Sequence, residues 1–260
     1  MRQNFRSRKN SGQTLVITAL VISLLILSVF YSVFEAGRKS ETRSATTLND
    51  YIIATKLGLE NTVTSSLVNV TNGGANEILE YNLGKYVSFV GNKSYFGKCI
   101  ILFDVSDAAP YQSGLWLSWG SDGTGISSAY ANYTLAVTKS ESDIQLEHTT
   151  NITTRLDVEG TYSLLADTLK QVNVTCSILN EDLAALANNI TVHYDYDGSL
   201  GTQDWTPADL PEITDYGNGT YTISFIAETQ TRDDPMIISA QAYDLREIFV
   251  LANCSCTEIA

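Results

Sequence analysis

An α+β fold is predicted for this chain of 260 residues: a long N-terminal helix, a small head mixing helix with antiparallel strands, and a C-terminal antiparallel β-sandwich. Three observations predict it. Leu15 to Phe34 are twenty residues without a charge, a Pro or a Gly. The polar sequence after them carries apolar residues at helical spacing. From Gly91 onward, short apolar alternations are separated by turns rich in Gly, Ser and Asn.

The apolar run comes first. As a helix rising 1.5 Å per residue it is ~30 Å long, the depth of a bilayer's hydrocarbon core. Arg2, Arg6, Arg8 and Lys9 precede it and an acidic body follows. That bias places the N-terminus in the cytoplasm and the body outside. A secretory signal has a shorter apolar core, ~7–15 residues, closed by a small-x-small cleavage site. Here the run is longer and ends in Tyr31, Phe34 and Glu35, a poor cleavage site, so a retained segment is expected. Ala45, Leu48, Ile52, Thr55, Leu59 and Val63 then recur at steps of three and four. The helix is therefore expected from about residue 14 to about residue 66, all-apolar and then amphipathic, ~80 Å in all. Asn72-Gly73-Gly74 ends it.

A basic tail, the Gly12-Gln13 step and an uninterrupted apolar helix resemble the class III signal of type IV pilin-like proteins, the archaeal ones above all. The resemblance implies a cut between Gly12 and Gln13 by a membrane peptidase. The apolar helix then stays on the mature protein, as an anchor and later as the packed core of a filament. Ile17 stands five residues into that mature chain, where many bacterial pilins carry Glu. A plain single-span anchor needs the same basic and apolar features.

After the helix, "NEILEYNLGKYVSFV" (76–90) reads as a shorter amphipathic helix. Ile78, Tyr81, Lys85 and Phe89 lie along one side, with Leu79, Leu83, Tyr86 and Val90 beside them. Residues 98–106, 114–120, 127–138 and 143–160 read as strands of the head. Residues 170–180, 189–199, 213–229 and 235–254 supply the strands of a last unit. Within it, "TDYGNGTYTISF" resembles a strand of Ig-like and of invasin- or filamin-type domains of surface proteins, which implies an Ig-like sandwich. The expected order is a basic cytoplasmic leader (1–12), a transmembrane and amphipathic stalk helix (13–66), an α+β extracellular head (67–160) and the sandwich (161–260).

Charge limits the partners. The net charge is −13, and the first 14 residues hold four basic and no acidic side chains. The remainder carries 12 basic and 29 acidic side chains, a net of −17. Such a body does not suit nucleic acid, whose phosphates need clustered Lys and Arg. Eight Asn-x-Ser/Thr sequons start at Asn69, Asn92, Asn132, Asn151, Asn173, Asn189, Asn218 and Asn253. None falls in the first 60 residues, which fits glycosylation outside the cell. The four cysteines, Cys99, Cys176, Cys254 and Cys256, allow three pairings. Cys254 and Cys256 do not readily bond to each other, because one intervening residue strains the ring. Cys176 is therefore expected to pair with Cys254 or Cys256.

Reactive constellations are weak. Asp195, Asp197 and Asp204 do not fit a calcium loop, and read as solvated acids of a surface turn. His193 lies in a strand without a nucleophile motif, and His148 on the apolar side of its own. Trp116, Trp119 and Trp205 read as cross-strand packing. No catalytic residue, cofactor or metal is expected. The chain reads as a membrane-anchored structural or adhesive surface protein. Its expected partners are the membrane, further copies through the N-terminal helix, and a cell-surface protein or glycan ligand. The alternatives are a monomeric single-span receptor and an anchored extracellular enzyme.

Overall fold

A computed structural model describes residues 9–92, 98–139, 142–198 and 205–259. Arg2, Arg6, Arg8 and Asp204 lie outside these residues, as do the side chains of Lys9, Gln13, Ala45, Asn92 and Asp143. The chain divides into two compact units, residues 1–55 and 56–260.

Helix α1 runs Lys9–Thr71. It exceeds the expected 14–66 at both ends, because no Pro interrupts it and Gly37 and Gly58 are tolerated within it. Its stop is the expected one. Gly73 takes a φ of 92°, its N–H donates to Val70 O at 3.0 Å, and Gly74 N–H donates to Asn69 O at 2.9 Å. This pair of reversed bonds around a left-handed Gly satisfies the last carbonyls of the helix. In the larger unit α1 buries Leu59, Val63, Leu67 and Val70. Helix α2, Ile78–Asn92, buries Leu79, Leu83 and Val90, and leaves Tyr81 and Phe89 exposed. Its apolar contact face is thus the Leu79 row, and the Ile78–Phe89 side turns to solvent.

The strands are β1 (Lys98–Val105), β2 (Leu115–Trp119), β3 (Thr124–Lys139), β4 (Ser142–Leu164), β5 (Leu169–Asn180), β6 (Leu183–Ala184), β7 (Ala187–Asp195), β8 (Trp205–Pro207), β9 (Glu212–Asp215), β10 (Thr220–Glu228), β11 (Ile237–Asp244), β12 (Phe249–Ser255) and β13 (Thr257–Glu258). One sheet has the order β1-β3-β4-β5-β10-β9, with β2 beside β3, β6 beside β5 and β13 beside β4. The second has the order β12-β11-β7-β8. All pairings are antiparallel except β13 with β4. The fold is α+β with mostly antiparallel sheet.

Strand β4 runs straight through residue 160, where the sequence separates head from sandwich. Its first part pairs with β3, up to Asp157 against Thr124. Its last part pairs with β5, from Thr154 against Asn180 to Leu164 against Lys170. The two regions therefore share backbone hydrogen bonds along one 23-residue strand.

Alternation sorts the side chains. On β3, Ala129, Ala131, Tyr133, Leu135 and Val137 are buried on one face. α1 and α2 lie on that side: Gly58 abuts the Tyr86 ring, and Gly114 abuts Leu79. Farther along the same face β12 takes over, and a Cβ added at Gly125 would stand 2.1 Å from Leu251 O. Beyond it, one apolar core draws Val158, Val174, Cys176 and Phe225 from the first sheet and Val192, Ile238, Ala252 and Cys254 from the second. Each Val or Leu buried in this way contributes about 1.5–3 kcal/mol relative to exposure.

Two of the buried polar residues are Asp195 and Lys170, the first of them buried against expectation. Asp195 is buried, not solvated, because it ends β7 under the turn, where Asp197 N–H donates to its Oδ1 at 3.3 Å. Lys170 is wholly buried in β5, with its ammonium donating to Asp234 O and lying 4.9 Å from the centre of the Tyr162 ring.

Candidate anchoring and assembly surface

Residues Val16–Glu35 of α1 form a helix long and apolar enough to cross a membrane. Its large apolar side chains are 49% to 70% exposed, and they lie on every side of the helix. Leu25, Ile26, Val29, Phe30 and Val33 frame a shallow groove with no polar lining. Two hydroxyls within the span bond back onto the helix. Ser23 donates to Ala19 O at 2.9 Å and Ser32 to Ser28 O at 2.8 Å. Hydrocarbon offers backbone and hydroxyl groups no partner, so a segment satisfied within its own helix suits lipid or a neighbouring apolar helix. In water the same surface is costly, at about 25 cal/mol per Å² of apolar area. Gly12 and Gln13, the expected processing step, lie in the helical backbone of α1, one turn before this surface.

The sequons fall into classes that spacing alone does not separate. Asn69, Asn151, Asn189 and Asn218 are exposed. Asn218 lies in the β9–β10 turn between Gly217 and Gly219, both at positive φ, and its Oδ1 accepts Thr220 N–H at 3.1 Å. Asn132 and Asn173 are half-buried in mid-strand, where their Oδ1 atoms accept Thr149 Oγ1 and Ser224 Oγ, each at 2.7 Å. Asn253 Oδ1 is buried with no hydrogen-bond partner among the described residues. The side chain of Asn92 is outside the described residues.

The fold gathers three of the four thiols. Cys176 and Cys254 belong to the shared core and Cys256 packs against it, while Cys99 is buried apart from them on β1. All four are free thiols. Burial pushes the Cys176 thiol up to about 12. The neighbouring Cys256 thiol holds the Cys254 pKa below its ordinary value, and Cys254 together with burial holds that of Cys256 above it. Cys254 Sγ donates to Ser255 O at 3.5 Å. Past the end of β12 at Ser255, Cys256 packs on Gly160, where a Cβ would stand 2.3 Å from its Sγ. A Gly inside an alternating strand marks such a close approach, and Gly160 was the available signal.

Elsewhere on the first sheet, Asp104, Asn132 and Thr149 lie side by side across β1, β3 and β4, next to the row Leu102, Thr134 and Glu147. They line a cavity of about 390 Å³. His148, on β4, faces Tyr133 at 5.6 Å between ring centres, and burial followed by the Lys56 charge lowers its pKa. His193 pairs with Ser239 and with Pro207, and its Nδ1 is buried without a partner among the described residues. Trp119 packs edge-on to Phe249 at 5.2 Å, and Trp116 packs on Tyr111 at 6.1 Å. No group of three His, Cys, Asp or Glu residues with metal-site geometry occurs among the described residues.

No protein-family model matches the chain, and no curated protein is significantly similar to it.

Proposed function

We propose that the chain is a membrane-anchored extracellular structural or adhesive protein, a filament subunit of the archaeal pilin-like kind. The observation that carries this reading is the apolar exposure of Val16–Glu35 on a helix that continues unbroken to Thr71. In the membrane this surface meets lipid. In a filament it meets the same surface of further copies, where apolar helices exclude lipid and pack by van der Waals contact. The Gly12-Gln13 step supplies the transition, since removal of the basic leader frees the helix from its cytoplasmic hold. Residues 161–260 serve as an Ig-like sandwich displayed outside the cell, a reading supported by the core shared between the two sheets. The exposed sequons and the polar cavity beside Asp104 and Glu147 are the surfaces offered to glycan attachment and to a protein or glycan ligand.

Intact mass spectrometry of the protein extracted from its native membrane tests this. A chain starting at Gln13 is expected, with Gly12→Trp leaving the heavier, unprocessed product and abolishing filaments seen by electron microscopy. A wild-type chain starting at Met1 and monomeric in the membrane would make it a solitary anchored receptor.

A further inference from the structure

We propose that β1 is a self-recognition strand, whose outer edge pairs antiparallel, about Ile101, with the same edge of a second copy of this chain. This contact is separate from the N-terminal helix and does not depend on a cut at Gly12. β1 ends the order of the first sheet, and among the described residues β3 is the strand it pairs with. A sheet edge offers a row of backbone donors and acceptors, which folded proteins blunt by shortness, charge, Pro, a bulge or a cover. The other ends of the two sheets are blunted in these ways. β9 has four residues, Glu212 and Asp215 among them, and β8 has three and ends in Pro207. Along β12, Asn253 O accepts Gly123 N–H at 2.9 Å and Phe249 O accepts Ser127 Oγ at 2.7 Å. β1 instead runs for eight residues without Pro, and its register with β3 is unbroken from Lys98 to Val105.

The pattern of β1 fits its own copy. Lys98, Ile100, Leu102 and Asp104 alternate along it on one face and are exposed, Leu102 at 65%. In an antiparallel pair centred on Ile101, Lys98 stands opposite the partner's Asp104, and Ile100 opposite the partner's Leu102. The two-fold axis makes each of these contacts twice. A pair centred on Lys98 or on Asp104 would instead set like charges face to face, which is destabilising. The apolar pairs thus supply attraction, and the charges fix the register. Two strands of this length make a small interface, so the contact is reversible, with association in the micromolar range. Repeated along a surface crowded with anchored copies, it adds up by multivalency.

The test is sedimentation of the full chain in detergent over a concentration series. The wild type is expected to reach a dimer. Lys98→Glu and Asp104→Lys should each weaken it about tenfold, because each sets two like-charged pairs across the axis. Lys98→Glu combined with Asp104→Lys should return to within about threefold of the wild type, the sign of a direct coupling. Within one chain the two positions are six strand residues, ~20 Å, apart, so this rescue reports contact between copies. Leu102→Lys should leave a monomer whose tryptophan-monitored unfolding midpoint is that of the wild type, since Leu102 lies on the surface. A wild type that stays monomeric would overturn the proposal. So would single charge reversals that the double variant does not rescue, or a dimer indifferent to all four variants, which would place the contact on the N-terminal helix or another face.

Discussion

Arg246 Nε donates to Asp244 Oδ2 at 2.7 Å, and the Asp244 side chain it meets is wholly buried. Asp244 also accepts from Thr154 Oγ1 at 2.9 Å and from the Arg246 and Ile248 N–H groups at 2.8 and 3.0 Å. Arg246 reaches on to Glu181 Oε1 at 2.7 Å and Thr153 O at 3.1 Å. One carboxylate and one guanidinium thus fasten the β11–β12 turn of the second sheet to β4 and the β5–β6 turn of the first. Asp244→Ala removes four acceptor contacts and leaves a three-quarters-buried cation without the more deeply buried of its two carboxylate partners. We expect a loss of about 3 kcal/mol, the range for breaking a buried pair from one side. Urea unfolding followed by tryptophan fluorescence checks it, since Trp116, Trp119 and Trp205 all lie in the 56–260 unit.

The two parts of α1 should answer differently to the same substitution. Leu67 is wholly buried, so Leu67→Ala should cost about 2–5 kcal/mol in that unfolding measurement. Leu25 is 61% exposed, and Leu25→Ala should leave the tryptophan transition within about 0.5 kcal/mol of wild type. Its effect should appear as weaker membrane retention or fewer filaments. Equal losses of stability from both variants would contradict a purely external role for Leu25.

How far the sequence disclosed this molecule depends on the range of the force concerned. The Leu15–Phe34 run, the stop at Asn72-Gly73-Gly74 and the β3, β5 and β10 alternations are local patterns, and they read directly. Short strands such as β6, β8 and β13 have too few residues to alternate, and they exist because longer neighbours offer open edges. The choice between the two sides of α2 was undecidable locally, since both Tyr81 and Leu83 are apolar and only the partner surface distinguishes them.

Gly125 shows how a single missing side chain sets the seam between the sheets. A Cβ there would stand 2.1 Å from Leu251 O and 2.7 Å from Leu251 C, a backbone that cannot turn aside as a flexible side chain does. Ser127, two residues on, donates to Phe249 O at 2.7 Å and holds β12 at that spacing. Gly125→Ala should cost about 1–3 kcal/mol by forcing the strands apart. Gly84→Ala, at a helical position with nothing within 4 Å, should stabilise by up to about 1 kcal/mol. Thermal unfolding of the two variants side by side separates these signs.

Glycan occupancy should follow the fold. Asn218 lies exposed on a turn, whereas Asn253 places its Oδ1 in a buried site. Glycopeptide mapping of native material should find Asn218 the more fully occupied of the two. Equal occupancy would mean that attachment runs ahead of folding of the second sheet.

The acid side of the stability profile should report His148. Burial of the ring is the larger cause of its lowered pKa, the Lys56 charge adds to it, and Glu60 opposes both. The unfolded chain, with its imidazole near the ordinary value of about 6.5, therefore binds the proton first. Stability is fully present above that value and falls as the pH drops through it toward the lower folded pKa, because protonation favours the unfolded chain. We expect the tryptophan-monitored midpoint to decline between about pH 7.5 and about pH 5.5, the interval in which histidine titrates. His148→Gln removes the titrating group while keeping a polar side chain beside Tyr133, and should flatten that decline. An unchanged slope in His148→Gln would place the proton uptake on another residue.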